Sequence, residues 1–289
     1  MSAARFSAID IARALGQRYE PTAEQRAIIE APLGPALVVA GAGSGKTETM
    51  AARVLWLVAN GLVAPEQVLG LTFTRKAAGE LAARIRQRLV QLGGSGLLGS
   101  STVVDAFTQP TVATYNSFAS SLYRDHAVLI GRDPDGVVLR EASAWQLARE
   151  LVATSRDDRL AELDLSVDRI TTSVLKLAHA LAEHDADIAD VRRVITEFLS
   201  VAELPLGDRF ERRAEFEKLT KLAATLPIAD LVERLQQVKH RDGYVEFADQ
   251  VSLALAIVRR HAGVVEQLRE RYRVVLLDEY QDTNVAQTW

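Results

Sequence analysis

The chain has 289 residues, 48% hydrophobic and 25% charged, with a formal net charge of −4. It contains no cysteine, which excludes a disulfide framework and a cysteine-ligated zinc site, and no apolar run approaches the ~18 residues of a membrane span. The totals fit a soluble globular protein long enough for two domains; a nucleic-acid partner would need a local basic face, because the average charge does not attract phosphate.

Residues 1 to 20 carry no chemical motif, and Met1–Phe6 lacks the apolar core of a signal peptide. The expected location is cytoplasmic. Pro21-Thr22-Ala23-Glu24-Gln25 opens a helix. Thr22 and Gln25 fit a capping box, with Gln25 reaching back to the Thr22 backbone. The same amide suits a second role, since glutamine both donates to and accepts from a purine edge. Both readings stay open.

The apolar run Ala36-Leu37-Val38-Val39 reads as a strand. Ala40-Gly41-Ala42-Gly43-Ser44-Gly45-Lys46-Thr47 follows it, and Met50, Ala51, Val54, Leu55 and Val58 then recur at helical spacing. Strand, glycine-rich turn, Gly-Lys-Thr and helix form a phosphate loop. The glycines let backbone N–H groups curl around phosphate oxygens, and the helix start adds its positive dipole end. Lys46 would place a point charge on the β/γ-phosphates, and the Thr47 hydroxyl would be a Mg²⁺ ligand. The strict pattern has glycine where Ala40 stands.

Gln67–Thr74 reads as a second strand, and Arg75–Leu89 as an amphipathic helix with Ala77, Leu81, Ile85 and Leu89 toward the sheet. Thr72-Phe73-Thr74 followed by Arg75-Lys76 could hold a nucleic-acid backbone while Phe73 stacks on a base. Gly93 through Ser101 reads as a surface loop. Thr111–Thr114 is a third strand, and Tyr115-Asn116-Ser117-Phe118 starts a helix.

From about Arg132 to about His261 helical stripes dominate. Val167, Ile170, Val174, Leu177, Ala178 and Leu181 form one; Val191, Val194, Ile195 and Phe198 form another. Trp145, Leu147 and Leu151 are candidate core. Glu211–Lys221 reads as a solvated helix face. The five histidines show no metal-ligand spacing and receive no role.

Val274-Val275-Leu276-Leu277 then reads as a buried parallel strand ending in Asp278-Glu279-Tyr280-Gln281-Asp282. Asp278 would hold Mg²⁺, and Glu279 would orient and deprotonate an attacking water. The order predicts an α/β fold: a P-loop NTPase (RecA-like) parallel-sheet core with a large all-helical inserted domain. The expected boundaries are 1-117 and 246-289 for the core and 118-245 for the insertion.

At this point the chain resembles the N-terminal motor half, domains 1A and 1B, of the UvrD/Rep-like superfamily 1A DNA helicases. The resemblance rests on Gln25, Ala40–Thr47, Leu71–Ala78, Thr114–Ser117, Phe247-Ala248-Asp249, Asp278–Thr283 and Gln287, in the family's order over nearly the whole chain. Ala40 is what that family shows at the first loop position. The resemblance implies ATP and Mg²⁺ as cofactors, translocation on single-stranded DNA and unwinding of duplex DNA in repair or recombination. It implies nucleotide contacts from Gln25, Ala40, Gly41, Ala42, Gly43, Ser44, Gly45, Lys46, Thr47 and Arg53, with Thr47 and Asp278 on the metal. Lys46, Glu279 and Gln281 would be catalytic, Gln281 coupling nucleotide state to DNA. Thr72, Phe73, Thr74, Arg75, Thr114, Tyr115 and Asn116 would contact DNA.

Departures are visible. Many members carry Arg where this chain has Glu48, Asn at Arg75, His at Asn116 and Asp at Glu246. The versions present look like the heterodimeric AdnAB-type helicase–nucleases, with a stand-alone repair helicase as the rival and a second helicase–nuclease subunit as the implied partner. The family's second motor domain, with arginines that reach the γ-phosphate, does not follow before Trp289. The expectation is therefore a fragment that binds nucleotide weakly and does not unwind DNA by itself. Two other classes are carried: a small-molecule kinase on the same loop, and a P-loop protein-interaction module without catalysis.

Overall fold

The computed structural model describes residues 4–41, 43–97, 108–202, 222 and 225–288. Several helices begin where polar side chains take up free backbone N–H groups. Ser7 and Asp10 close a capping box on α1 (Ala8–Ala14), and Thr22 and Gln25 do so on α2 (Ala23–Ile29). Gly45, in the left-handed region at φ 83°, starts α3 (Lys46–Ala59) with no side-chain cap. β1 (Val68–Thr72) leads to α4 (Arg75–Gly94), capped by Thr74. β2 (Thr111–Thr114), α5 (Tyr115–His126), β3 (Val137–Val138), α6 (Glu141–Ala153), α7 (Val167–His184) and α8 (Ile188–Ala202) follow. α9 (Leu226–Arg241), β4 (Tyr244–Val245), α10 (Phe247–Arg260), α11 (Ala262–Arg271), β5 (Val274–Leu277) and α12 (Val285–Thr288) complete the order. No helix among the described residues is long and apolar enough to cross a membrane.

The chain divides into two compact units: Met1–Phe118 with His261–Thr283, and Ala119–Arg260 with Asn284–Trp289. The first is α/β. Its sheet runs β2-β1-β5, all parallel. Central β1 is buried along its whole length, as a strand covered on both faces must be. Thr72 pairs with Thr114 and Leu71 with Leu277, so the carboxyl ends of all three strands lie level. Val54, Leu55, Leu57 and Val58 of α3 pack with Leu81, Ile85, Leu89 and Leu92 of α4 and with Val68 and Val274 of the sheet.

The strand expected at Ala36–Val39 does not form. The residues lie outside any strand, with Leu37 80% and Val39 89% exposed. A strand exists through its ladder of backbone hydrogen bonds, and no described strand offers this run one. Gly93 and Gly94, expected in a loop, end α4; residues 98–101 of that expected loop lie outside the described residues.

Among the described residues, the second unit is helical apart from a short parallel ladder between β3 and β4, so the expectation of an all-helical segment is corrected there. Ala148, Leu151 and Val152 of α6, Ile170, Val174, Ala178 and Leu181 of α7, and Ile228, Leu231, Val232 and Leu235 of α9 form its core. Of the second expected stripe, Ile195 is buried while Val194 and Phe198 stay exposed. α10 packs on α7 in this unit. The charged stretch Glu211–Lys221 lies outside the described residues.

This unit contains an ionic cluster that the sequence does not announce. Lys239, only 4% exposed, sits 2.8 Å from Glu246 and 2.5 Å from Asp249. His179 Nε2 lies 2.8 Å from the other Glu246 oxygen, and Asp249 accepts the Glu246 backbone N–H. Burial by itself would raise the Glu246 pKa, but His179 and Lys239 outweigh it and bring it down to about 2. The hydrogen bond to Glu246 raises that of His179.

Candidate functional site

The first turn of α3 presents backbone N–H groups that no side chain caps, the arrangement that receives an anion. The turn before it is held open by two glycines in the left-handed region, Gly43 at φ 75° and Gly45 at φ 83°. A side chain at Gly43 would meet nothing within 4 Å, so its requirement is conformational. A Cβ on Gly45 would also approach the Gln25 amide nitrogen to 3.1 Å. Ser44 closes the turn, its hydroxyl donating to the Gly41 carbonyl at 2.8 Å. Gly41, Gly43 and Ser44 are exposed; Ala42 lies outside the described residues.

More than two hundred residues later the chain returns to this place. Lys46 Nζ lies 4.0 Å from Glu279 Oε1, and its charge reaches Asp278. Asp278 directly follows the edge of β5, its N–H donating to the Leu71 carbonyl at 2.8 Å, and it is buried. Burial and the neighbouring Glu279 carboxylate raise the Asp278 pKa, against the opposing pull of the Glu279 N–H and Lys46. Two adjacent carboxylates thus face one ammonium. A small hard cation bound by few protein oxygens and by phosphate suits that imbalance, with Asp278 and Thr47 as candidate ligands.

Glu279 holds φ 51°, a left-handed conformation outside glycine. Such a conformation costs of order 1 kcal/mol and concentrates at functional sites. Gln281 Nε2 donates a short hydrogen bond to Glu279 Oε2. The Tyr115 hydroxyl donates to the Asp278 carbonyl at 3.0 Å.

Gln25 serves its cap and more. Its oxygen accepts the Thr22 N–H at 3.0 Å, while its nitrogen donates to the Ser44 carbonyl at 3.1 Å. The capping reading therefore holds, and the same side chain also ties α2 to the loop. Beside it lies a cavity of about 430 Å³. Its walls include Leu15, Tyr19, Pro21, Gln25, Thr49 and Arg88. The segment before Pro21, motif-free in sequence, thus builds one wall. Neither Tyr19 nor Arg88 carries a local signal that sequence reading would detect.

Arg53, expected at the nucleotide, is engaged elsewhere. Its guanidinium donates to the carbonyls of Ile28, Ile29, Ala31 and Pro32 at 2.8–3.2 Å. It closes the C-terminal end of α2, and burial lowers its pKa.

The residues expected to meet DNA separate into two groups. Phe73, Thr74, Arg75 and Asn116 are exposed at the carboxyl ends of β1 and β2, with Phe73 at 50%. Thr72 is fully buried, its hydroxyl donating to the Thr74 carbonyl. Thr114 is buried and caps the turn through the Ser117 N–H. Tyr115 is 6% exposed and points at Asp278. Thr72 and Thr114, expected as direct contacts, are engaged with the backbone that carries the exposed residues, and Tyr115 with the acidic strand end.

The family model described as "UvrD/REP helicase N-terminal domain" matches residues 21–289. The "ATP-dependent DNA helicase UvrD2" of Mycobacterium tuberculosis is 30% identical over 266 residues, covering 91% of this chain and 33% of that protein. The "DNA helicase II" of Haemophilus influenzae is 27% identical over 264 residues, 91% of this chain and 30% of its own. The "ATP-dependent DNA helicase UvrD1" of Mycobacterium leprae is 26% identical over 264 residues, 91% and 29%. The chain spans about a third of the length of the curated relatives it matches.

Proposed function

The chain belongs to the UvrD/REP helicase N-terminal domain family, and from that premise we propose that it is the ATP-binding part of an ATP-dependent DNA helicase that moves along single-stranded DNA. The observation that carries the reading is the meeting of Lys46 with Asp278 and Glu279 at the level strand ends, where α/β sheets bind their ligands. The fold reading is a RecA-like core carrying a helical insertion, with the core formed by the first unit.

In this reading the α3 N-terminus and the Gly41–Gly45 backbone hold the phosphates, and Lys46 places its charge on them. Asp278 and Thr47 would hold Mg²⁺, which when bound neutralises phosphate charge. Glu279 takes the proton of the attacking water, and Gln281, bonded to it, sets the carboxylate's direction. The base lies in the cavity beside Gln25, whose second amide hydrogen remains for a purine edge. Phe73 stacks on a base of the DNA strand, and Thr74, Arg75 and Asn116 meet its backbone.

Unwinding, a role in repair or recombination and cytoplasmic location are proposed of the whole protein. The 289 residues by themselves are proposed to bind nucleotide without unwinding. The Glu48 and Arg75 variants favour an AdnAB-type helicase–nuclease subunit over a stand-alone repair helicase; co-purification of a second helicase subunit separates the two.

Glu279→Gln in the whole protein tests the mechanism. Loss of a general base predicts DNA-stimulated ATP hydrolysis lowered roughly 10²–10⁴-fold, with ATP affinity retained. Hydrolysis near the wild-type rate would remove Glu279 from the chemistry. A protein-interaction module would tolerate the change, and a small-molecule kinase would turn over without DNA.

A further inference from the structure

Glu48, the residue directly after the Gly-Lys-Thr, is held by two arginines of the next helix. Arg88 forms a two-pronged pair with it, Nη1 to Oε1 at short range and Nη2 to Oε2 at 3.0 Å. Arg84 Nη1 reaches the same Oε2 at 3.3 Å. Two guanidiniums on one carboxylate leave a net charge of +1, and the Arg88 side chain is largely buried. Glu48 in turn stands in the first turn of α3, where the helix dipole favours an anion.

Glu48 and Arg88 both line the cavity of about 430 Å³ beside Gln25. Gln25 connects that cavity to the phosphate loop through Ser44. The geometry points to Arg88 as a specificity-determining residue for the nucleotide's base, fixed in place by Glu48. This rests on the ATP reading of the loop given above.

A forked pair to a carboxylate fixes the plane of a guanidinium and satisfies the N–H groups on that edge. It leaves the flat face of the cation, which stacks on aromatic rings. A half-buried arginine whose prongs are engaged in this way is a prepared wall for a flat, electron-rich heterocycle. Tyr19 and Pro21 supply apolar surface in the same cavity. A purine offers more stacking area than a pyrimidine, so the site should rank ATP above CTP. Inorganic tripolyphosphate, lacking a base, should ignore Arg88.

The test is calorimetric titration of ATP, CTP and tripolyphosphate, each with Mg²⁺, into the wild-type chain, Arg88→Met and Glu48→Gln. Arg88→Met leaves Glu48 paired with Arg84, and thermal melting checks that each variant folds. The expected result is ATP affinity lowered about 3- to 30-fold in Arg88→Met, the range of a partly desolvated cation–aromatic contact, with the ATP preference over CTP reduced and tripolyphosphate unchanged. Glu48→Gln should lower ATP affinity in the same direction by a smaller factor. Equal ATP affinity in Arg88→Met and wild type would overturn the inference, as would parallel loss for ATP and tripolyphosphate. Wild-type protein that binds none of the three ligands would overturn the ATP reading itself, and with it this inference.

Discussion

Single side chains at this site do more than one thing, and their second job is where structure departs from sequence. Gln25 caps its helix as its spacing from Thr22 implies, and its remaining donor also secures Ser44. Arg53 shows the opposite outcome. Its place in the family pattern suggests the nucleotide, yet four carbonyls at the end of α2 hold it. Hydrogen bonds from a charged donor contribute about 1.5–3 kcal/mol, so Arg53→Ala is expected to lower the melting temperature while leaving ATP affinity within about twofold. A large loss of ATP affinity in a variant that melts normally would restore the nucleotide role. Tyr115 teaches a related lesson. Exposure decides between contacting a ligand and supporting one that does, and one short motif does not encode it.

At the scale of elements, sequence served best where a pattern is closed within itself. The capping box of α2, the period of α4 and the strands at Val68–Thr72 and Thr111–Thr114 stand where their residues place them; Val274–Leu277 also forms its strand, but as a sheet edge with Val275 and Leu277 exposed rather than buried. Ala36–Val39 fails because a strand depends on a partner that its own residues do not specify. The cluster of Lys239, His179, Glu246 and Asp249 was illegible for a similar reason. Its members come from α7, α9, α10 and the residue between β4 and α10, and no spacing joins them. They give the second unit a pH dependence. His179 ordinarily titrates near 6.5 and is raised in the fold, so its contribution is complete below about 6.5 and fades as pH climbs through the raised value. Glu246 falls from 4.5 to about 2, so its contribution is complete above 4.5 and lost toward pH 2. Thermal melts should therefore show declining stability of this unit as pH rises above about 6.5 through the raised His179 value, flattened in His179→Gln. Identical slopes in both proteins would show that the pair does not contribute.

At the scale of the whole molecule, the phosphate loop and the acidic strand end were each visible in sequence, but their meeting had to be supplied by folding. The packing of α3 on Val68 and Val274 supplies it, on a sheet in which β1 pairs with β5 on one side and with β2 on the other. That single strand brings Asp278 level with Thr72 and Thr114, and places the candidate DNA-facing residues beside the candidate nucleotide pocket. The cavity wall from Leu15 to Pro21 stayed invisible, because ordinary residues acquire a role there only through position.

The central claim is that Lys46, with Asp278 opposite, forms part of a Mg·ATP pocket. The most direct measurement is calorimetric titration of ATP, with and without Mg²⁺, into the wild-type chain and Lys46→Ala at matched melting temperature. The account predicts Mg²⁺-dependent binding in the wild type and an affinity at least about tenfold lower in Lys46→Ala, the loss of one well-placed charge–phosphate contact. Equal affinity in the two proteins, or binding indifferent to Mg²⁺, would contradict it.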